Sequence, residues 1–517
     1  MSERELVRAL LVLRVCSVQL LVRNADSLLR VLERIAGRRV TMALLRHSFF
    51  GHFCAGESAD DTKATVHKLA KCNVNAIMDY AAEADVAQTK SAADKLRDDV
   101  HHRKDGVVSA RTYEYEDERG CEANTALILE SINNAAYAGG DQFVAMKLTA
   151  IAKPELLEKI SSVLRAIKNL WINEFGSSVA ATAVDAERFR KFIASIGVSM
   201  TADEVDQLFR QIDKNHDGNI DYIEWTRLLS TTSLLTRRFF VADGYDLGLL
   251  KAVMRRGAPN YFASLLPLLG EDETELVDRA VARLDTICAA AAAKRVRLMI
   301  DAEQTYLQPA IDHFARRMQL TYNKDGPFVF NTYQAYLKSA KTHLATDIER
   351  CRRLGVCFAG KLVRGAYMVG ERKRAADLGL NSPICDTIEE THENYNSCID
   401  IFLRTRRPGS RASLMVASHN RASIEHCVTF MQKLGVDRAN GGIYFGQLLG
   451  MADFLTFPLG LAGYKVYKYV PYGPIHEVVP YLLRRAQENS GALSNAPFER
   501  SLLWSELLRR WRSRIGR

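Results

Sequence analysis

Residues 297–303 read RLMIDAE, an apolar and branched run that breaks off in two acids, Asp301 and Glu303, without the alternation of a half-exposed strand. Such a run is buried on both faces, as in a parallel sheet. Seven more segments share the pattern: 74–80 (VNAIMDY), 143–150 (FVAMKLTA), 328–334 (FVFNTYQ), 361–367 (KLVRGAY), 414–420 (LMVASHN), 443–450 (IYFGQLLG) and 466–473 (VYKYVPYG). From 297 onward they begin 23 to 53 residues apart, the length of a βα unit, with helical patterns such as 312–320 and 336–354 between them. Eight such strands predict the α/β class and a closed (βα)8 barrel of TIM type. An open doubly wound sheet is the second choice. Against it, no G-x-G-x-x-G occurs, and the single G-x-x-x-x-G-K match, 355–361, is followed by Leu362 and precedes a strand where a phosphate cradle would open a helix.

Between the segments starting at 143 and 297 lie several βα lengths of extra chain, so an insert is expected there. The chain divides into an N-terminal helical segment (1–73), a first part of the barrel (74–154), a helical insert (155–290), the rest of the barrel (291–493) and a basic amphipathic C-terminal helix (494–517). Within the insert, Asp213, Asn215, Asp217, Asn219, Asp221 and Glu224 stand at positions 1, 3, 5, 7, 9 and 12 of a loop with Gly218 at 6 and Ile220 at 8. That is the oxygen-donor spacing of an EF-hand and predicts one Ca2+, with Asn219 giving its carbonyl, Asp221 acting through water and Glu224 bidentate. Thr201 and Glu204 form a capping box for the entering helix, and an exiting helix is expected over 222–229. A degenerate partner lies upstream, with Val184 in the place of Ile220, Ser177, Val179 and Ala181 where acids would stand, and Arg188 replacing the final Glu. A metal-free structural hairpin is the bland alternative. The charged, Ala-rich segment 82–106 is read as exposed, its His101–His102 pair facing solvent.

Composition places limits on partners. The 517 residues are 47% hydrophobic and 25% charged, which suits a globular protein with a large core. The net charge of +9 sits at the ends: residues 1–50 hold nine Arg against four acids, and 499–517 hold six Arg against two Glu. A neutral body argues against nucleic acid and leaves basic terminal helices for an anionic membrane or for plain solvation. Ten scattered Cys without a C-x-x-C pair imply a reduced compartment and no zinc site. The stretch 6–22 is broken by Arg8 and Arg14, so no membrane span is predicted. Glu3, Glu5, Asp26 and Glu33 make the first 46 residues helices of the protein rather than a transit peptide.

In a barrel of this kind the site lies at the carboxyl ends of the strands. There stand Lys147, Asp301, Glu303, Gln334, Lys361, Arg364, Tyr367, His419, Asn420, Gln447, Tyr469 and Tyr472, followed by Arg484, Arg485 and Glu488 on a helix. Two adjacent Arg with a Glu one turn later suit a carboxylate fork held by a carboxylate partner, although a solvated helix face has the same pattern. Taken in order, the stretches AIMDY (76–80), MKLT (146–149), LMIDAEQTYLQP (298–309), FNTYQAYLK (330–338), KLVRGAY (361–367), VASHN (416–420), YFGQLLGM (444–451) and the run from Val466 to Asn489 resemble proline dehydrogenase, closest to its mitochondrial, eukaryotic branch.

The resemblance implies FAD-dependent oxidation of L-proline to Δ1-pyrroline-5-carboxylate, with electrons passed to membrane quinone. It implies that Lys147, Arg484 and Arg485 clamp the substrate carboxylate, that Glu488 orients the arginines and that Tyr367 and Tyr469 wall the ring. Ala302, Gln334, Lys361, Arg364, Gly365, Ala366, Ser418 and His419 match positions that hold FAD. Asp301 and Lys361 are the catalytic candidates. Lys361 would supply positive charge beside the flavin where bacterial relatives often carry Arg, and Asp301 is open between an acid/base and the structural partner of an arginine, the second being favoured. Bulky Tyr469 favours proline over hydroxyproline, whose dehydrogenase is the sister reading. A calcium-dependent adaptor with an inactive barrel is the reading from another class. A mitochondrial location on the matrix side of the inner membrane follows from the resemblance. An apolar face at Leu503, Trp504, Leu507, Leu508, Trp511 and Ile515, ringed by arginines, would either touch an anionic bilayer or pack on the barrel.

Overall fold

The computed structural model describes residues 1–81, 118–139, 141–176, 183–195, 201–231, 271–407, 409–490 and 496–515. The expected strands are all present: β1 (Val74–Tyr80), β2 (Phe143–Met146), β5 (Arg297–Ile300), β6 (Val329–Gln334), β7 (Ala359–Val363), β8 (Ser413–Ala417), β9 (Ile443–Leu448) and β10 (Val466–Tyr472). All pair in parallel and close into one ring in the order β1-β10-β9-β8-β7-β6-β5-β2, so the barrel is correct and the open sheet is excluded. Inside it, Phe143, Phe330, Tyr444 and Tyr467 meet edge to face at 4.9–6.2 Å and fill the lumen, leaving chemistry to the rim.

The observed strands end earlier than their sequence patterns suggest. β2 stops at Met146, β5 at Ile300 and β7 at Val363. Lys147, Asp301 and Arg364 therefore lie just beyond the ladder, in loops whose side chains turn over the mouth. Asn420 is a cap: its side chain accepts from the Ser423 amide at the start of the helix Arg421–Lys433.

At the N-terminus, α1 (Glu3–Cys16), α2 (Gln19–Arg23), α3 (Ala25–Ala36) and α4 (Arg38–Leu45) form a helical arm, as expected for this segment. α1 opens with a reciprocal Ser2–Glu5 capping box and buries Leu6, Ala9, Val12, Leu13 and Cys16. In the insert, α5 (Ala202–Ile212) carries the Thr201–Glu204 capping box and α6 (Tyr222–Thr231) leaves the loop. Between them β4 (Asn219–Ile220) pairs antiparallel with β3 (Val184–Asp185), putting Val184 opposite Ile220. Both are fully buried in a separate core with Trp171, Phe189, Phe192, Leu208 and Trp225. Ser177, Val179, Ala181 and the segment 82–106 lie outside the described residues.

The insert touches the barrel through α7 (Ala340–Arg353), where Arg353 pairs with Asp221 at 2.6 Å and Arg350 donates to Thr226 Oγ1 at 2.9 Å. After β10 comes α8 (Ile475–Ser490), packed on α1 and α2, then α9 (Ala496–Ile515), packed on α1. The single apolar face expected of α9 is divided: Leu503, Leu507 and Leu508 are half-buried, whereas Trp504 and Trp511 are exposed. None of the described helices is long and apolar enough to cross a membrane.

Candidate active site

At the mouth of the barrel, Lys361 near the end of β7 is almost fully buried, and its ammonium donates to Asp301 Oδ1 beyond β5. Asp301 Oδ2 accepts from the Tyr469 hydroxyl of β10 at 3.3 Å, and Lys361 Nζ lies 5.8 Å from the centre of the Tyr469 ring. Asp301 is thus a counter-ion, as favoured from sequence, but its partner is Lys361 and not an arginine. The physical reason is position: in the closed ring β5 and β7 flank β6, so their ends face each other across one strand.

Next to this pair, Glu303 is fully buried and accepts from both the amide (3.2 Å) and the hydroxyl (2.8 Å) of Thr149, one turn past β2. Burial pushes its carboxyl up to about 7, against the nearby charge of Lys147 and the Thr149 hydrogen bonds. Gln334 at the end of β6 donates to the Glu303 carbonyl at 2.9 Å, and the Tyr367 hydroxyl reaches the Ala302 carbonyl at 3.5 Å. The DAE loop 301–303 is therefore gripped from β2, β6, β7 and β10.

On the other side of the mouth, Arg364 donates to Ser418 Oγ at 2.6 Å, Ser423 Oγ at 2.9 Å and His392 Nδ1 at 3.1 Å, with its guanidinium 4.4 Å over the Tyr395 ring. Such a side chain is fixed, and burial lowers its pKa from the usual arginine value. Gly365 has φ +133°, and a Cβ there would run into the Tyr336 ring, so the chain passes as bare backbone at Gly365. His419 Nε2 accepts from the Leu448 amide at 3.0 Å, which leaves the proton on Nδ1. Burial, with Lys468 and Arg485 nearby, depresses its pKa to about 3, so the ring is neutral at physiological pH.

On α8 stands the third group. Arg485 is buried, pairs with Glu488 at 2.7 Å and lies 4.8 Å over the Tyr481 ring, while Arg484 approaches the same ring at 5.9 Å. The Arg485 Nε is buried without a hydrogen-bond partner among the described residues. A buried guanidinium with one open donor is what a carboxylate ligand would complete.

A neutral imidazole N–H, a serine hydroxyl, a fixed guanidinium, a buried ammonium and bare backbone at Gly365 fit a large anionic cofactor with several acceptor atoms. The residues of loop 213–224, where calcium was expected, behave differently. Among the described residues no group of three or more His, Cys, Asp or Glu side chains converges as metal ligands. Instead, Asp213 accepts from the amides of Asp217 and Gly218, Asp217 from that of Asn219, and Glu224 from those of Lys214 and Asp221. His216 and Gly218 take positive φ, which gives the loop its tight turn.

Sequence reasoning named Glu303 but gave it no role, and it passed over Thr149, Ser423 and His392. Thr149 had a signal, because it closes the MKLT stretch. Ser423 and His392 had none, since each sits on a helix that only the fold brings to Arg364.

Comparison with known proteins gives a consistent result. The family model described as proline dehydrogenase matches residues 62–497. Proline dehydrogenase 1, mitochondrial, of Homo sapiens is 37% identical over 98% of this chain and 87% of its own length, and its Caenorhabditis elegans counterpart is 37% identical over 98% and 86%. Hydroxyproline dehydrogenase of Xenopus laevis is 31% identical over 98% and 88%. Among solved structures, proline utilization A (PutA) of Bdellovibrio bacteriovorus, inactivated by N-propargylglycine, superposes with a TM-score of 0.55 at 16% identity, covering 96% of this chain and 38% of that longer one, a likeness of fold.

Proposed function

From the premise that this chain belongs to the proline dehydrogenase family and is an oxidoreductase acting on proline, we propose how its residues carry out that oxidation. The observation that carries the reading is a buried Lys361–Asp301–Tyr469 cluster at the barrel mouth, together with a buried Arg485 on α8 whose Nε has no hydrogen-bond partner among the described residues. L-Proline enters as a zwitterion. Its carboxylate is held by Arg484, Arg485 and Lys147, with Glu488 fixing the angle of Arg485. Tyr469 and Tyr367 wall the ring, and the Asp301 bond to Tyr469 sets the orientation of that wall.

Ala302, Gln334, Lys361, Arg364, Gly365, Ala366, Ser418 and His419 would hold FAD, which would supply acceptance of the hydride from the ring carbon next to nitrogen, while the ring nitrogen gives up a proton as the C=N bond forms. Lys361 places positive charge where negative charge develops, and Asp301 keeps that ammonium buried without unbalanced charge. His419 is fixed as an Nδ1–H donor, and Arg364 is held by Ser418, Ser423 and His392, so both would present their donors to the cofactor in a set geometry.

The product is Δ1-pyrroline-5-carboxylate, this being the first step of proline catabolism, and the enzyme is mitochondrial like its named relatives. We further propose that electrons leave to membrane quinone, that the enzyme works in peripheral contact with the matrix side of the inner membrane, and that the insert 155–290 binds one Ca2+ through Asp213, Asn215, Asp217, Asn219, Asp221 and Glu224. The loop's oxygen spacing and its Val184–Ile220 pairing support the calcium reading.

An anaerobic visible spectrum of the purified protein tests the central reading. A bound flavin band that bleaches with L-proline is expected. Bleaching with hydroxyproline alone would move the chain to the sister activity, and no flavin after reconstitution with FAD would overturn the enzyme reading.

A further inference from the structure

The N-terminal arm hides one side of itself and exposes the other. α1 is pinned to α8 by Val12 and Cys16, yet no residue of α3 is buried. Leu28, Val31 and Ile35, at i, i+3 and i+7, share one face of α3 and all lie in solvent, Ile35 at 80% exposure. Leu20 on α2 is 73% exposed, and Val40 and Leu44, one turn apart on α4, are about half exposed. The face continues onto α1. There Leu11 and Val15 line an open groove of about 530 Å³ with Phe49 and, from α9, Leu507, while Arg4 and Arg8 stand at its rim. α3 packs on α4, and α4 runs directly into the turn 46–50 that supplies Phe49, so the elements carrying these residues are contiguous.

Charge tells which occupant fits. From 19 to 46 the chain holds six Arg against Asp26 and Glu33. Among the described residues Arg46 pairs with Glu57, but Arg23, Arg34, Arg38 and Arg39 make no ion pair. Around the wheel of α3, Arg34 and then Arg30 follow on the Val31 side of the stripe Leu28, Val31 and Ile35, with Asp26 and Glu33 opposite it, so guanidinia border the apolar face as in a helix lying flat in a headgroup layer. A second copy of the chain placed on this face would set arginines against arginines. A bilayer bearing anionic headgroups would accept both the apolar stripe and the unpaired guanidinia.

We propose that α2, α3 and α4, with the outer face of α1, are the lipid-facing surface of this protein, and that the surface is selective for anionic bilayers. This rests on the reading that the enzyme works in peripheral contact with a membrane, and it assigns that contact to the N-terminal arm. The exposed Trp504 and Trp511 belong to α9, which packs on α1, and are not needed for that contact.

Flotation of the full-length protein with phosphatidylcholine vesicles, alone and doped with about one-third phosphatidylglycerol, tests the proposal. Wild type floats with the doped vesicles and is released by salt. The exposed pair Val31→Glu with Ile35→Glu, and separately the triple Arg34→Gln, Arg38→Gln and Arg39→Gln, each lower the bound fraction by roughly tenfold. Reduction of a soluble dye by proline stays unchanged in both, showing intact folding. Flotation of both variants at the wild-type level would overturn the assignment while leaving membrane contact standing. Wild type that floats with neither vesicle would overturn both. A dimer of wild type that Val31→Glu with Ile35→Glu disperses, without flotation, would make the face a self-contact and overturn the proposal as well.

Discussion

Among the described residues Lys361 pairs with a single carboxylate, that of Asp301. Replacing Asp301 with Asn keeps the shape and a hydrogen-bond acceptor but leaves a buried ammonium without its counter-charge. Breaking a buried pair in this way costs about 3 kcal/mol or more, so Asp301→Asn should lower the urea midpoint clearly and impair bleaching of the flavin by proline. Glu303 gives a second handle. Its carboxyl is raised to about 7 by burial, so the folded state binds a proton that the unfolded chain releases near 4.5. Its contribution is therefore fully present below the unfolded pKa and is lost as pH rises through about 7, a change of roughly 3 kcal/mol. Glu303→Gln should flatten that part of the profile of unfolding free energy between pH 4.5 and 7 relative to wild type. At Tyr469, Tyr469→Ser should raise kcat/KM for hydroxyproline relative to proline, and an unchanged ratio would remove the ring-wall role. These positions were readable as polar residues at strand ends. What sequence could not supply was pairing across the ring, because Asp301 and Lys361 are 60 residues apart and become neighbours only when β5, β6 and β7 stand side by side.

The eight strands were legible as elements because a parallel barrel buries both faces of each one, which writes a continuous apolar run into the chain. Their ends were less legible, since the same residue types serve the last ladder position and the first loop position; KLVRGAY looks uniform, yet the strand stops at Val363 and the loop proposed to hold the cofactor begins at Arg364. In the insert, the oxygen spacing was explicit in sequence, but its attachment was not. Asp221 has one oxygen capping the Glu224 amide and the other paired with Arg353 of α7, so a cation from the barrel sits beside the loop. Calorimetric titration should show one Ca2+ bound to wild type and none to Glu224→Gln. Arg353→Ala removes a like charge from the vicinity of the ion and should tighten calcium binding by about threefold. Failure of wild type to bind would reduce the loop to a structural hairpin held by its own amides.

At the scale of the molecule, composition located the charge correctly at the two ends, and the structure shows why the ends can act together: α9 packs on α1, and Arg514 pairs with Glu3 at 2.8 Å. Sequence pointed to the C-terminal helix as the amphipathic one because its tryptophans and arginines are dense. The fold half-buries that helix and leaves α3 uncovered, a distinction that depends on tertiary packing and not on periodicity. The ring itself has a further consequence, for the order of events during synthesis. β1 and β10 form its seam, joined along seven register pairs from Val74–Val466 to Tyr80–Tyr472, and their partners are about 390 residues apart. Until the ribosome has delivered the last strand, β1 has one neighbour at most and the sheet has two raw edges that can recruit another chain. Closure therefore comes late and slowly, and the nascent protein needs shielding for nearly the whole of its elongation. A chain cut short before Val466 is consequently an open, adhesive sheet and not a smaller enzyme.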